Sequence, residues 1–293
     1  MQPLFWLCVA LRIVANPLSN VFQKVLTNRQ ASPLFVIGIT HGLLAILCLP
    51  LLAMSPPPLS SAFWTNMAVS TVLAVAGNAL IVQALAISDL SFLGPVNAYK
   101  SVVSLVPGFI LLNEIPSCGS LAGLTLIVAG SYLIVDRDKS ASQNVFVRFF
   151  RDRGVQYRIG GLVLSAVEAV FLKRALAASS PLTAFTVWSC AGFIVSLVAA
   201  LVFSKNAVKS QLRILQANRL SCVALATTTG LMQFCTLMIL TGFHVAAALA
   251  LFQTSTLLTV FLGWRVFREP YIARRLVGSA VMVVGAVLII LSR

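Results

Sequence analysis

Three ionisable side chains lie well inside long apolar runs: Arg12, Lys100 and Glu168. A charge at bilayer depth costs roughly 2.5–3.5 kcal/mol on insertion scales, so such groups persist where they find partners or line a wet cavity. Lys100 belongs to GPVNAYKSVVSLVPGF, residues 94–109, bracketed by Pro95 and Pro107. Helical spacing puts Asn97, Lys100 (or Ser101) and Ser104 on one polar face, leaving Val102, Val103, Leu105 and Val106 for lipid or neighbouring helices. Proline removes backbone hydrogen bonds, so this segment suits a cavity wall that flexes. A cation there would attract a carboxylate or phosphate; snorkelling to the interface is the competing use of the same lysine.

The first apolar run carries a second stripe, Arg12, Asn16, Ser19, Asn20 and Gln23, with Pro17 as a site for a kink. Asn16 and Asn20 serve a cavity and helix-to-helix hydrogen bonding equally well. Arg12 is close enough to the start of the run to snorkel. Glu168 shares its face with Ser165, Phe171 and Leu172. Beside Lys100 or Arg12 it would form an ion pair; unpaired, it is a candidate proton carrier. Further polar candidates are Asn78 and Gln83, then Thr229, Gln233 and Thr236, then Gln253, Thr254, Ser255 and Thr256. Tyr99 and Phe252 could stack on a planar substrate, although aromatics in such runs usually pack. His41 and His244 read as interfacial, and single histidines without ligand spacing do not make a metal site. The six cysteines lack any C-x-x-C spacing and read as small buried hydrophobes.

The elements that hold these groups are written for a membrane. The chain has 293 residues, of which 59% are hydrophobic and 10% charged, against about a quarter charged in soluble domains. Its mean hydropathy is +0.98. Ten apolar spans can be read, near 3–26, 33–54, 65–87, 92–112, 118–135, 159–177, 181–203, 220–242, 245–263 and 272–291. None shows the two-residue alternation of barrel strands, so all are predicted helical. Prolines at 33, 56–58, 116, 181 and 270 punctuate the intervals. The first span lacks a basic start and a small-residue cleavage site, and is read as retained. The net charge of +14 is concentrated between spans, as in cytoplasmic loops, and no aromatic–basic motif accompanies it, so nucleic acid is not an expected partner.

A slide of 155 residues lays Glu114 on Glu269, Gly123 on Gly278, Gly130 on Gly285 and Asn78 on Gln233. A slightly shorter slide lays Phe22 and Lys24 on Phe171 and Lys173. The chain thus divides into two five-helix halves: 1–135, then a basic connecting loop 136–158, then 159–293. An odd number of spans makes the second copy enter from the other side, so the predicted fold class is all-α, a polytopic membrane protein of ten transmembrane helices in two inverted five-helix repeats. That architecture places a site between the halves near mid-membrane. The glycines of the fifth and tenth spans suit close helix contact. Glu114 and Glu269, at span ends beside prolines, suit capping or loop cations.

With Asn113-Glu114-Ile115-Pro116 before Leu121-Ala122-Gly123, and Arg268-Glu269-Pro270 before Arg275-Leu276-Val277-Gly278, the whole chain resembles the EamA-type transporters of the drug/metabolite transporter superfamily. The resemblance implies secondary transport in a bacterial cytoplasmic membrane, with export the favoured direction, and both termini in the cytoplasm. The basic loops instead place the termini outside, because one face carries nearly all the Lys and Arg; both orientations stand. The expected substrate is a small polar metabolite, with anionic groups favoured by Lys100 and Arg12. Coupling to protons or a counter-substrate and a homodimer both stay open. No cofactor is called for, and no ATP-binding motif is found. Metal-dependent or acid–base catalysis needs clustered acids and histidines, so an enzyme is not expected. The alternative function is a flippase for a lipid or polyprenyl-phosphate headgroup, with Arg12 and Lys100 holding the phosphate.

Overall fold

Without water in the bilayer core, each apolar run satisfies its own backbone as helix. The computed structural model describes residues 2–100, 102–103, 117–134, 149–203, 208–242 and 252–292. In chain order its helices are α1 (Gln2–Asn28), α2 (Pro33–Met54), α3 (Ser61–Ile87), α4 (Leu90–Val96), α5 (Cys118–Ile134), α6 (Arg153–Leu176), α7 (Pro181–Phe203), α8 (Val208–Ala217), α9 (Arg219–Gly242), α10 (Ser255–Phe267) and α11 (Ile272–Leu291). No strand occurs among the described residues. By length and composition α1, α2, α3, α7, α9 and α11 suffice to cross a bilayer; α6 is as long as α9 but carries Arg158 and Glu168. Ser104, Pro107, Glu114 and His244 lie outside the described residues.

The helices pair across the halves. α1 packs on α9, α3 on α6, α2 on α7 and α5 on α11. Exchanging the halves converts the α1–α9 pair into α6–α3 and returns α2–α7 and α5–α11 to themselves. This is the packing of a polytopic all-α protein built from two inverted five-helix repeats. Glycine makes the α5–α11 seam close. A Cβ on Gly123 would lie 2.5 Å from the Gly285 carbonyl oxygen, and one on Gly278 would lie 2.9 Å from that of Gly130. These are the repeat-matched glycines, meeting reciprocally. Large side chains on the outside, among them Ile46, Leu47, Ile194, Leu201 and Val202, are exposed and face where lipid would be.

Three local departures from the predicted spans matter for the site. First, α6 begins at Arg153 rather than near 159, because Asp152 caps it: its carboxylate accepts the Val155 N–H at 2.9 Å. Arg158 therefore lies inside the helix, not in a loop. Second, α4 does not run on as a regular helix through Lys100. It stops at Val96, and the Asn97, Ala98 and Lys100 amides bond three residues back, to Gly94, Pro95 and Asn97; Pro95 withholds a helical donor here. Third, α8 has no counterpart among the predicted spans. Its buried Gln211 side chain accepts the Ser32 N–H at 2.7 Å, tying α8 to the α1–α2 turn, where Gln30 adopts φ 68°.

Candidate functional site

A cavity of about 210 Å³ lies between the halves, walled by α1, α2, α3, the segment after α4, α6, α7, α9 and the start of α10. Arg12, Asn16, Asn20, Asn78, Asn97, Lys100, Glu168, Gln233, Phe252 and Ser255 all line it. Their side chains come from separate helical segments, and several are placed by cross-helix contacts. Arg12 Nε donates to Thr236 Oγ1 at 3.1 Å, and the guanidinium carbon stands 3.4 Å above the Phe252 ring centroid. Phe252 is thus covered by Arg12 rather than left bare for stacking. Asn16 donates to Ser255 at 3.2 Å, Ser19 shares a 2.8 Å bond with Thr229, and Gln23 donates to Asn78 at 3.2 Å. The polar stripe of α1 is therefore both cavity wall and helix-to-helix contact. Lys100, Glu168 and Arg12 thus share one lining.

Two expectations are corrected. Tyr99 does not face the cavity: the break at Asn97 turns it into the aromatic cluster of Phe149 and Phe150, at centroid distances of 5.8 and 5.6 Å. His41 is not interfacial: it is 2% exposed, packs at 4.4 Å from Trp188, and lines the cavity.

The profile of the EamA-like transporter family matches residues 4–136 and again residues 152–291. The chain belongs to that family. It is an integral membrane transporter, so a small-molecule substrate and a bilayer are its expected company. A solved crystal structure that is 15% identical superposes with a TM-score of 0.62, over 96% of this chain and 94% of the other, and so shares the fold. No curated protein matches the chain.

In this EamA-like transporter, reading spans from hydropathy misses three buried cations. Lys24, Arg158 and Arg275 are 7%, 3% and 2% exposed, although they lie near the ends of the predicted spans or just outside them. Arg158 lines the cavity, and its Nε donates to Asn97 Oδ1 at 3.0 Å. Lys24 and Arg275 close the end of the bundle where α1 finishes and α6 and α11 begin. There Glu269, 5% exposed, accepts Lys24 Nζ at 2.8 Å, the Leu90 N–H at 2.8 Å and the Ser91 N–H at 2.7 Å. Arg275 donates to Asp89 at 3.0 Å and to the Ser91 hydroxyl. Glu269 and Arg275 come from the second half and the others from the first, so this network ties the halves together. The turn that presents Glu269 is strained: Arg268 and Tyr271 take φ 55° and 62°, a region bulky residues rarely adopt. Burial would lift the Glu269 carboxyl, but the hydrogen bonds from Lys24 and Ser91 and the Lys24 charge outweigh it and hold the carboxyl below the usual carboxylate range.

Proposed function

We propose that the chain is a secondary transporter that moves a small polar, anionic metabolite by alternating access around the central cavity. One observation carries this: Arg12 and Lys100 line a cavity between inverted halves together with Glu168, the one carboxylate among its described lining residues. Cations outnumber the acid in this lining, which leaves a positive surplus in a low-dielectric space, and an anionic substrate would neutralise it. The amides of Asn16, Asn20, Asn78 and Gln233 would orient the rest of the substrate. Glu168 would counter the Lys100 charge and exchange partners when the substrate arrives. The halves, 1–135 and 159–293, would rock about this site.

The test is a thermal-stability screen of the purified full-length protein. The panel holds small carboxylates, phosphate esters, neutral sugars and amines, and each is repeated on Lys100→Ala. Anions are expected to raise the wild-type midpoint, and Lys100→Ala to lose most of that rise. The same rise in both proteins, or stabilisation by amines alone, would remove the anion reading. Counterflow of the best anion in proteoliposomes then distinguishes transport from binding.

A further inference from the structure

The surplus of positive charge is larger than Arg12 and Lys100 account for, because Arg158 adds another buried guanidinium. It is 3% exposed and has no ion-pair partner among the described residues. Asn97 satisfies its Nε, and Nη1 is buried with nothing to donate to. Arg12 shows the same pattern: Thr236 takes its Nε, and Nη1 is buried and unsatisfied. A buried guanidinium with an idle donor is costly unless an acceptor completes it. Both idle donors belong to residues that wall one cavity.

The two arginines stand at different depths. Lys24 donates to the Ser88 carbonyl at 3.0 Å, and a Cβ on Gly154 would press on the Ser88 side chain. These contacts put Lys24 of α1 and Gly154 of α6 at one level. Arg158 is four residues beyond Gly154, or about 6 Å along the axis; Arg12 is twelve residues before Lys24, or about 18 Å. Along the bundle the two are therefore about 12 Å apart at the backbone. The separation of the guanidinium groups themselves is what a ligand series of graded length reads.

We propose that Arg158, oriented by Asn97, is a second anion subsite, so that the substrate is an organic dianion with one acid group on Arg12 and Lys100 and the other on Arg158. The inference rests on the reading of the cavity as the substrate site and adds the substrate's charge and shape. Neither arginine donates through both of its outer nitrogens to protein alone, so each is set to hold a carboxylate or phosphate oxygen. A monoanion would satisfy one end and leave the other guanidinium uncompensated.

The test uses straight-chain dicarboxylates of increasing length, each matched with the monocarboxylate of the same length, titrated calorimetrically into the purified full-length protein. The readout is the ratio of dianion to monoanion affinity. Wild type is expected to favour the dianion by roughly tenfold or more, the worth of one charge-assisted bond, at the chain length that reaches both subsites. Arg158→Gln should bring the ratio to near parity, and Arg158→Lys, which keeps the charge, should restore much of it. Asn97→Asp preserves shape and gives Arg158 a carboxylate of its own, so it should also collapse the ratio even if Arg158→Gln does not fold. A merely structural role for Arg158 would lower both affinities together and leave the ratio intact; that result, or wild-type parity, overturns the proposal. If no anion of either kind binds, the reading of the cavity falls with it.

Discussion

Replacing Glu269 with Gln measures what the buried ion network contributes. The two carboxylate oxygens accept from Lys24, Leu90 and Ser91 at 2.7–2.8 Å and face Arg275 Nη1 at 3.7 Å. The amide has the same outline, but one oxygen becomes a donor. If its oxygen stays on Lys24 and Leu90, its NH2 points at the Ser91 N–H, donor against donor, and the attraction to both cations is gone. Removing one partner from a buried pair costs about 3–5 kcal/mol. Asp89 supplies the comparison. It meets the same two cations, at 3.9 Å from Lys24 and 3.0 Å from Arg275, but its side chain is 41% exposed, and exposed pairs contribute about 0–1 kcal/mol. In thermal unfolding of the detergent-purified protein, Glu269→Gln should lower the midpoint several times further than Asp89→Asn. Equal losses would refute the burial argument. The pH dependence has a definite sign. A carboxyl held below its unfolded value stabilises fully above that value, about 4.3 for Glu, and the contribution fades as pH falls through the folded value. Wild type should therefore lose stability below about pH 4, and Glu269→Gln should show a smaller acid-dependent loss.

The glycine seam and the surface helix give two more expectations. Gly123→Ala sets a methyl 2.5 Å from the Gly285 carbonyl oxygen, where the neighbour is backbone and cannot yield. It should lower the yield of folded protein sharply, whereas Gly242→Ala, with no described atom within 4 Å, should stay within about 0.5 kcal/mol of wild type; similar yields for the two would contradict the packing. Gln211→Ala leaves the Ser32 N–H without its acceptor and also ends a 3.4 Å donation to the Gln30 carbonyl. The cost is about 1–3 kcal/mol, local to the α1–α2 turn, and hydrogen exchange there should quicken while α5 and α11 stay protected.

Much of the fold is legible in the sequence because membrane helices announce themselves and because the duplication keeps its glycines in register. The polar stripe on α1 is legible for the same reason: Asn and Ser spaced by three and four in an apolar run have few alternatives to facing protein or a cavity. What hydropathy does not see is where a helix really starts. A window average discounts Arg153 and Arg158, yet Asp152 caps a helix that carries both; the cap residue three before Val155 is the available signal. Lys24 and Arg275 are misplaced because a charge near the end of an apolar run looks like a loop charge until its acid is known, and Glu269 lies 245 residues from Lys24 along the chain. Tyr99 is misdirected when a regular helix is assumed through Asn97. His41 is misjudged because its burial comes from α7, where Gly192 leaves room for the imidazole.

The reciprocal contact of α5 with α11 has a mechanical corollary. Each helix sets a carbonyl into the notch its partner's glycine leaves, twice, and in opposite senses. Such a joint resists sliding, because any axial slip drives an oxygen into a side chain, but it tolerates rotation about itself. Lying on the axis that relates the two copies, it looks the same from either membrane face, and under the proposed alternating access it would serve as a bearing that stays engaged in both states.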